Sequence, residues 1–331
     1  MMVGSLTMSL GVFLSSFSKK LSSFLLTYCV LFGLGTGLCY TSPIVAGWRH
    51  LPEKKGLVSG CVLGGFGLGG FVFNMVGSAL SNPKQLSLDP ETKLFPEEVY
   101  ANFSPMLRKL SLIYAAMQLT GAALMKLSKI PPAPPKSNGP SDRKLITCIF
   151  SRDFLLLWTC IVLSSTAGLN TVSVYKMFGN QHPSLKSDTF LAAVGGVGSV
   201  ANGVGRTGWG ALQDKLGFRK LFTGLTLIQA TTTLMYRYTV HSRPLFTFAT
   251  MVLFCCLGGN FAMAPGACAK LFGAQMGPKV FAVLFSGFAT AAIGGSALNK
   301  ALMSSGFSAT FKVMAFASVA AAALVTSLGD V

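Results

Sequence analysis

Residues 202–220, NGVGRTGWGALQDKLGFRK, place one arginine, Arg206, in a run of apolar residues and glycines that begins at Phe190. A charged side chain near the middle of a bilayer costs at least about 2.5 to 3.5 kcal/mol, so its presence calls for a role. A guanidinium is permanently cationic and offers a planar fork of donors that matches a carboxylate two bonds at a time. Asp214 opens a charged turn eight residues later (214 − 206). At about 1.5 Å per residue, Arg206 then lies roughly 12 Å from that turn, close to the midplane of an apolar layer about 30 Å thick. Two roles fit this placement: contact with an anionic substrate, or bracing of the turn against Asp214 or a helix end.

Asn202, Asn170, Tyr175, Tyr40 and Asn260 are further polar groups within apolar segments. As a set they suit the lining of a cavity, and singly each also suits an interhelical hydrogen bond worth about 0.6 kcal/mol. The three histidines, His50, His182 and His241, fall in loops or at helix ends and form no buried proton relay. Most of the eight cysteines lie in apolar runs without metal-type spacing. Neither paired intramembrane carboxylates nor a nucleophile with a base is visible, so no enzyme activity, metal or cofactor is expected. Gly65, Gly67 and Gly70 satisfy the GxGxxG spacing, but no strand precedes them, and helix packing explains them better than a nucleotide. Gly60 with Gly64, and Gly65 with Gly69, have the small-xxx-small spacing of close helix crossings.

The elements that must hold these residues follow from composition. The chain of 331 residues is 51% hydrophobic and 11% charged, with a mean hydropathy of +0.58. That balance excludes an ordinary soluble domain, which is about 25% charged, and indicates a multi-pass membrane protein. A net charge of +17 raises nucleic acid as a partner. The basic residues are dispersed in short clusters between apolar runs rather than forming one stripe, so anionic lipid headgroups fit better. Apolar segments run over residues 3–18, 22–48, 57–80, 105–127, 153–178, 189–211, 221–240, 245–269, 280–300 and 308–328. All but the first are long enough to span a bilayer, and the fold class expected is all-α with about ten transmembrane helices. The proline-rich run PPAPPKSNGP marks 128–152 as a linker between a block of four helices (1–127) and a block of six (153–331).

An internal repeat supports two parallel blocks. Val30, Leu31 and Phe32 recur as Val252, Leu253 and Phe254, an offset of 222 (252 − 30). The same ungapped offset pairs Gly37 with Gly259, Pro43 with Pro265, Val58 with Val280, Gly65 with Gly287, Phe66 with Phe288, Ala79 with Ala301 and Leu80 with Leu302. In this register the first block has no counterpart of the helices at 153–178 and 189–211. Either the sequence starts late or a variant deficient in two helices exists, so a transporter and a truncated, non-transporting or regulatory membrane protein are both open.

With parallel repeats of four and six helices, the chain resembles the major facilitator superfamily. The residues that carry the resemblance are GALQDKLGFRK, 210–220, similar to the signature loop that follows the second helix of each half. Gly210 permits close helix approach, Gly217 suits a tight reversal, and Asp214, Lys215, Arg219 and Lys220 supply the charges of a gate. GLGTGLCYTSPIVAGW, RHLPEKKGLVSG and GGFGLGG within 33–70, together with 154–179 and 258–273, are similar to the oxalate/formate antiporter family and related monocarboxylate transporters. The resemblance implies alternating access by uniport, exchange or symport with a proton, and an arginine at the position of Arg206 that contacts the substrate carboxylate. Oxalate transporters resemble one another in a second cation, a lysine deep in the helix at 280–300. This chain has only Lys279 and Lys300 at that helix's ends, which favours a monocarboxylate over a dicarboxylate. A monomer in the plasma membrane or an organelle membrane is expected.

Overall fold

The computed structural model describes residues 1–331 except 87, 88, 90, 91, 93, 128–143, 303–305, 330 and 331. Among the described residues the secondary structure is helical, with ten helices of 14 residues or more. They are α1 (Met2–Ser15), α2 (Leu21–His50), α3 (Lys55–Ser81), α4 (Phe103–Leu127), α5 (Arg152–Asn180), α6 (Asp188–Leu216), α7 (Phe218–Met235), α8 (Arg243–Gly273), α9 (Gln275–Leu302) and α10 (Gly306–Val325). Six of these, α2, α3, α5, α8, α9 and α10, are long and apolar enough to cross a membrane. α1 is too short for that measure, whereas α6 carries Arg206, Gln213, Asp214 and Lys215 along its length.

Helix boundaries follow local chemistry. Ser151 and Ser187 cap α5 and α6, their hydroxyls accepting from the backbone N–H groups of Phe154 and Phe190. Gly217, at φ 79°, separates α6 from α7 within a single residue. Sequence predicts a loop over 270–279, yet α8 and α9 follow one another almost without interruption, parted at Gly273 with φ 82°. Only glycine adopts that left-handed backbone without strain, so one residue does the work of a ten-residue connection. The expected linker at 128–152 lies largely outside the described residues; its end, from 144, carries the short helix Leu145–Ile149.

The chain forms two compact units. Unit 1 comprises Met1–His50 and Gly70–Ala133, and unit 2 comprises Leu51–Gly69 and Pro134–Val331. α3 therefore belongs to unit 2 through Gly69 and to unit 1 from Gly70.

In unit 1, α1 lies against α2 at glycines: a Cβ on Gly35 would meet Met8 Cα at 2.9 Å, and one on Gly4 would meet Leu38 Cβ at 2.7 Å. Ser9 of α1 donates to Gln118 Oε1 of α4 at 3.2 Å. α2 contains a π-helical stretch, Leu25–Leu31, with no buried residue. Along it the rings of Phe24, Tyr28 and Phe32 stack at centroid distances of 5.1 and 6.0 Å.

In unit 2, Phe178, Tyr236, Phe246 and Phe311 close one end of the helical block. Deeper in the block, a polar hub joins four helices. Gln229 of α7 donates from Nε2 to the Ser164 carbonyl of α5 at 2.7 Å and to Ser318 Oγ of α10 at 2.9 Å. Ser164 Oγ in turn donates to Asn260 Oδ1 of α8 at 2.8 Å. All four side chains have zero exposure, and where no water competes, such bonds fix helix register.

Candidate functional site

Arg206 sits in unit 2 where α6 meets the first half of α3 and the middle of α8. It is 5% exposed. Its Nε donates to Asn202 Oδ1 one turn earlier at 3.1 Å, and its Nη1 donates across to the Leu63 carbonyl of α3 at 3.1 Å. The guanidinium carbon lies 4.7 Å from the ring centroid of Phe261 on α8 and 5.6 Å from that of Phe66 on α3. Phe261 stacks on Phe288 of α9 at 4.2 Å with an interplanar angle of 11°, and Phe285 packs beside both at 6.1 and 5.3 Å. A desolvated cation over aromatic faces gains about 2 kcal/mol or more, which helps offset its burial. Arg206 is thus held by two hydrogen bonds and two rings, with an apolar aromatic wall at its side.

Glycines bring α3 and α6 close enough for this. A Cβ on Gly60 would meet Thr207 Cα at 2.9 Å and overlap the Arg206 carbonyl. One on Gly64 would meet Thr207 Oγ1 at 2.9 Å, and one on Gly67 would meet Asn202 Oδ1 at 2.8 Å. Gly56 and Gly210 face each other at the same crossing. Gly65 corrects the expectation of close packing: a Cβ there would meet nothing within 4 Å. At about 100° per residue, Gly65 is turned away from the face shared by Gly60, Gly64 and Gly67.

The signature loop is tied to the start of α3. Asp214 accepts from the backbone N–H groups of Gly56 and Leu57, each at 2.8 Å, one with each carboxylate oxygen. The carboxylate satisfies two N–H groups that the first turn of a helix leaves unpaired, and its charge opposes the positive end of the helix dipole. Arg219 donates to the Leu328 carbonyl beyond α10, while Lys215 and Lys220 are exposed. Sequence reading missed Gln213, which is 8% exposed and donates to the Met263 carbonyl of α8 at 3.0 Å. It lines, with Lys55, Asp214 and Lys270, a cavity of about 200 Å³ at this end of the unit. Asp214→Ala is expected to lower stability by about 0.5 to 2 kcal/mol, the usual value of a helix cap, with Asp214→Asn intermediate. Melting of the purified protein in detergent checks this, and an unchanged midpoint for Asp214→Ala would overturn it.

The other residues singled out from sequence do not all converge on Arg206. Asn202 does, and its Nδ2 also donates to the Phe254 carbonyl of α8 at 2.9 Å. Asn260 belongs to the polar hub between helices. Asn170 of α5 is 3% exposed; it donates to the Gly295 carbonyl at 3.3 Å and accepts from Asn299 of α9 at 2.6 Å. Tyr175 packs edge-on against Phe254 at 5.9 Å. Tyr40 is on α2, in unit 1, and partly buried there. Phe66, Phe261, Phe285 and Phe288 carry the surroundings of Arg206, and aromatic residues in apolar helices gave no sequence signal of that.

No family model matches the chain. Apicoplast pyruvate carrier 1 of Toxoplasma gondii is 28% identical over 82% of this chain and 58% of its own length. The oxalate:formate antiporter of Oxalobacter formigenes is 25% identical over 89% of this chain and 67% of its own. Human monocarboxylate transporter 12 is 39% identical over a shorter stretch, 22% of this chain and 14% of its own. The chain thus spans well under two thirds of the length of the Toxoplasma carrier. Among solved structures, the Escherichia coli fucose:proton symporter superposes with a TM-score of 0.74 at 15% identity, covering 100% of this chain and 83% of the symporter. A bacterial homologue of the iron transporter ferroportin superposes at 0.65 and 13% identity, covering 99% of this chain and 82% of the homologue. Signature loop, helical repeat and fold agree: this multi-pass membrane protein has the major facilitator fold, and in sequence it is similar to a pyruvate carrier, an oxalate:formate antiporter and a monocarboxylate transporter.

Proposed function

We propose that the chain works as a secondary transporter of small monocarboxylates, with Arg206 as the carboxylate contact. The observation that carries this reading is the setting of Arg206: a buried guanidinium, oriented by Leu63 and Asn202 beside the wall of Phe261, Phe285 and Phe288. One cation next to an apolar wall suits an anion with one carboxylate and a small apolar tail. A second carboxylate would have to lie against aromatic carbon, at a cost of several kcal/mol. The names of the pyruvate carrier and the monocarboxylate transporter support the same class. In this reading the halves 1–127 and 153–331, joined by 128–152, rock about the site. Asp214 latches one gate by capping α3. Uptake driven by a pH gradient, compared with uptake driven by internal anion, separates proton symport from exchange.

Binding separates substrate classes directly. A ligand at about 100 times its Kd raises stability by about 2.7 kcal/mol, several degrees of melting temperature. Pyruvate and lactate are expected to raise the melting temperature of the purified protein more than formate or oxalate. A larger shift with oxalate, or none with any monocarboxylate, would sink the substrate assignment.

A further inference from the structure

α6 and α8 run side by side, joined by Asn202 on the Phe254 carbonyl and by Gln213 on the Met263 carbonyl. These bonds use one side of α6, and Gly203, Thr207 and Gly210 turn a second side to α3. A third side is open. Ala201, Val204, Gly208 and Leu212 recur at helical spacing and, with Phe248 and Met251 of α8, line a groove of about 450 Å³. Its floor is closed at Gly205, where a Cβ would meet Cys255 Sγ at 2.7 Å, and at Gly259 of α8, where a Cβ would meet Trp209 Cδ1 at 2.8 Å. Over Gly208 the space is empty, since a Cβ there would meet nothing within 4 Å. No residue of the lining carries a charge, a hydroxyl or an amide side chain, and at the rims Val204 and Phe248 are 61% and 63% exposed.

A groove of this size leaves its lining without dispersion partners until something fills it. Its dimensions suit an acyl chain. From Ala201 to Leu212 it runs about 16 Å, half of an apolar layer about 30 Å thick and so the depth of one leaflet. A helix about 10 Å across would occupy about 1,200 Å³ over that length, well beyond the groove. The charges at one end select the headgroup. Lys215 follows Leu212 by three residues (215 − 212) on nearly the same side of α6, and both Lys215 and Lys220 are exposed. Asp214, the acid beside them, is turned to the N–H groups of Gly56 and Leu57. We propose that the groove holds one acyl chain of an anionic phospholipid, with the phosphate on Lys215 and Lys220 and the tail running past Gly208 toward Ala201. Each exposed lysine favours an anionic over a neutral headgroup about fivefold. This binding site is separate from Arg206 and does not depend on the substrate.

The test is photolabelling of the full chain in vesicles with phosphatidylglycerol and, separately, phosphatidylcholine, each carrying a diazirine on one acyl chain, with adducts mapped by mass spectrometry. Phosphatidylglycerol is expected to label residues 201–212 and 248–255 at least about fivefold more strongly than phosphatidylcholine does. It should also label them more strongly than the face of α10 around the exposed Phe316. Gly208→Phe places a ring in the groove and should abolish the label. Because a Cβ at 208 meets open space, that variant should melt with the parent; if it does not, Gly208→Leu replaces it, with the same loss expected. Gly294→Phe on α9, likewise in open space, should leave the label in place. Lys215→Gln should lower labelling by phosphatidylglycerol about fivefold and leave that by phosphatidylcholine unchanged. Equal labelling by the two lipids, or adducts spread evenly over the exposed helix faces, would overturn the proposal. So would crosslinks joining α6 of two copies, or a label that Gly208→Phe leaves unchanged.

Discussion

Arg206→Ala is expected to reduce carboxylate uptake by reconstituted protein at least about thirtyfold while leaving membrane insertion intact. A guanidinium and a carboxylate brought together out of water form two charge-assisted hydrogen bonds, and truncating one partner of such a pair costs about 2 to 5 kcal/mol. The folded state loses less. The substitution leaves the Leu63 carbonyl and Asn202 Oδ1 without these donors, at about 1 to 3 kcal/mol each, but it also removes a buried charge. Arg206→Lys sharpens the test, since it keeps the charge and loses the planar fork, and uptake should recover only in small part. If Arg206 merely braces the crossing of α3 and α6, Arg206→Ala will lower the melting temperature but leave the pyruvate-induced shift in place. Uptake per folded molecule that matches the parent would remove Arg206 from the substrate path.

The second large effect is expected at the crossing itself. Gly60→Leu drives a side chain into the backbone of Arg206 and Thr207. A side chain can turn aside from a clash, whereas a carbonyl within a helix cannot. The cost is therefore at the upper end for overpacking, about 3 kcal/mol or more. The separation of α3 from α6 would also draw the Leu63 carbonyl away from Arg206, so stability and uptake should fall together. Gly65→Leu is the matched control, because it adds the same side chain on the same helix, in open space. Equal melting temperatures for the two variants would show that the close approach of α3 and α6 contributes nothing.

Much of this architecture was legible in the sequence because membrane spans announce themselves by composition. The segment 57–80 became α3, Lys55–Ser81, and 153–178 became α5, Arg152–Asn180. Arg206 stood out by its cost, and Asp214 by its place in a charged turn bounded by Gly210 and Gly217. What the sequence concealed depends on which face of a helix meets which neighbour. Phe261 and Phe288 read as core or lipid-facing residues until α8 and α9 bring them together beside Arg206. Gln229 lies in the run TLIQATTTL, and nothing local marks it as the centre of a hub. Asn260 was visible as a polar residue, but its direction, toward Ser164 and Gln229, is set by tertiary packing. The crossing glycines were half legible: spacing found Gly60 and Gly64, while only the helix phase separates Gly67, which packs, from Gly65, which does not.

The hub also limits how unit 2 can deform. Domains change shape by hinge or by shear, and shear requires packed helices to slide along one another. A slide of α7 by a single turn, about 5.4 Å, would carry Gln229 away from both the Ser164 carbonyl and Ser318, with no water to take their place. α6 is pinned to α8 at two levels, by Asn202 on the Phe254 carbonyl and by Gln213 on the Met263 carbonyl, so it resists both sliding and rotation. The helices so joined suit tilting as one piece, and the positive-φ glycines Gly217, Gly273 and Gly306 lie at their ends, where a hinge would disturb none of these bonds.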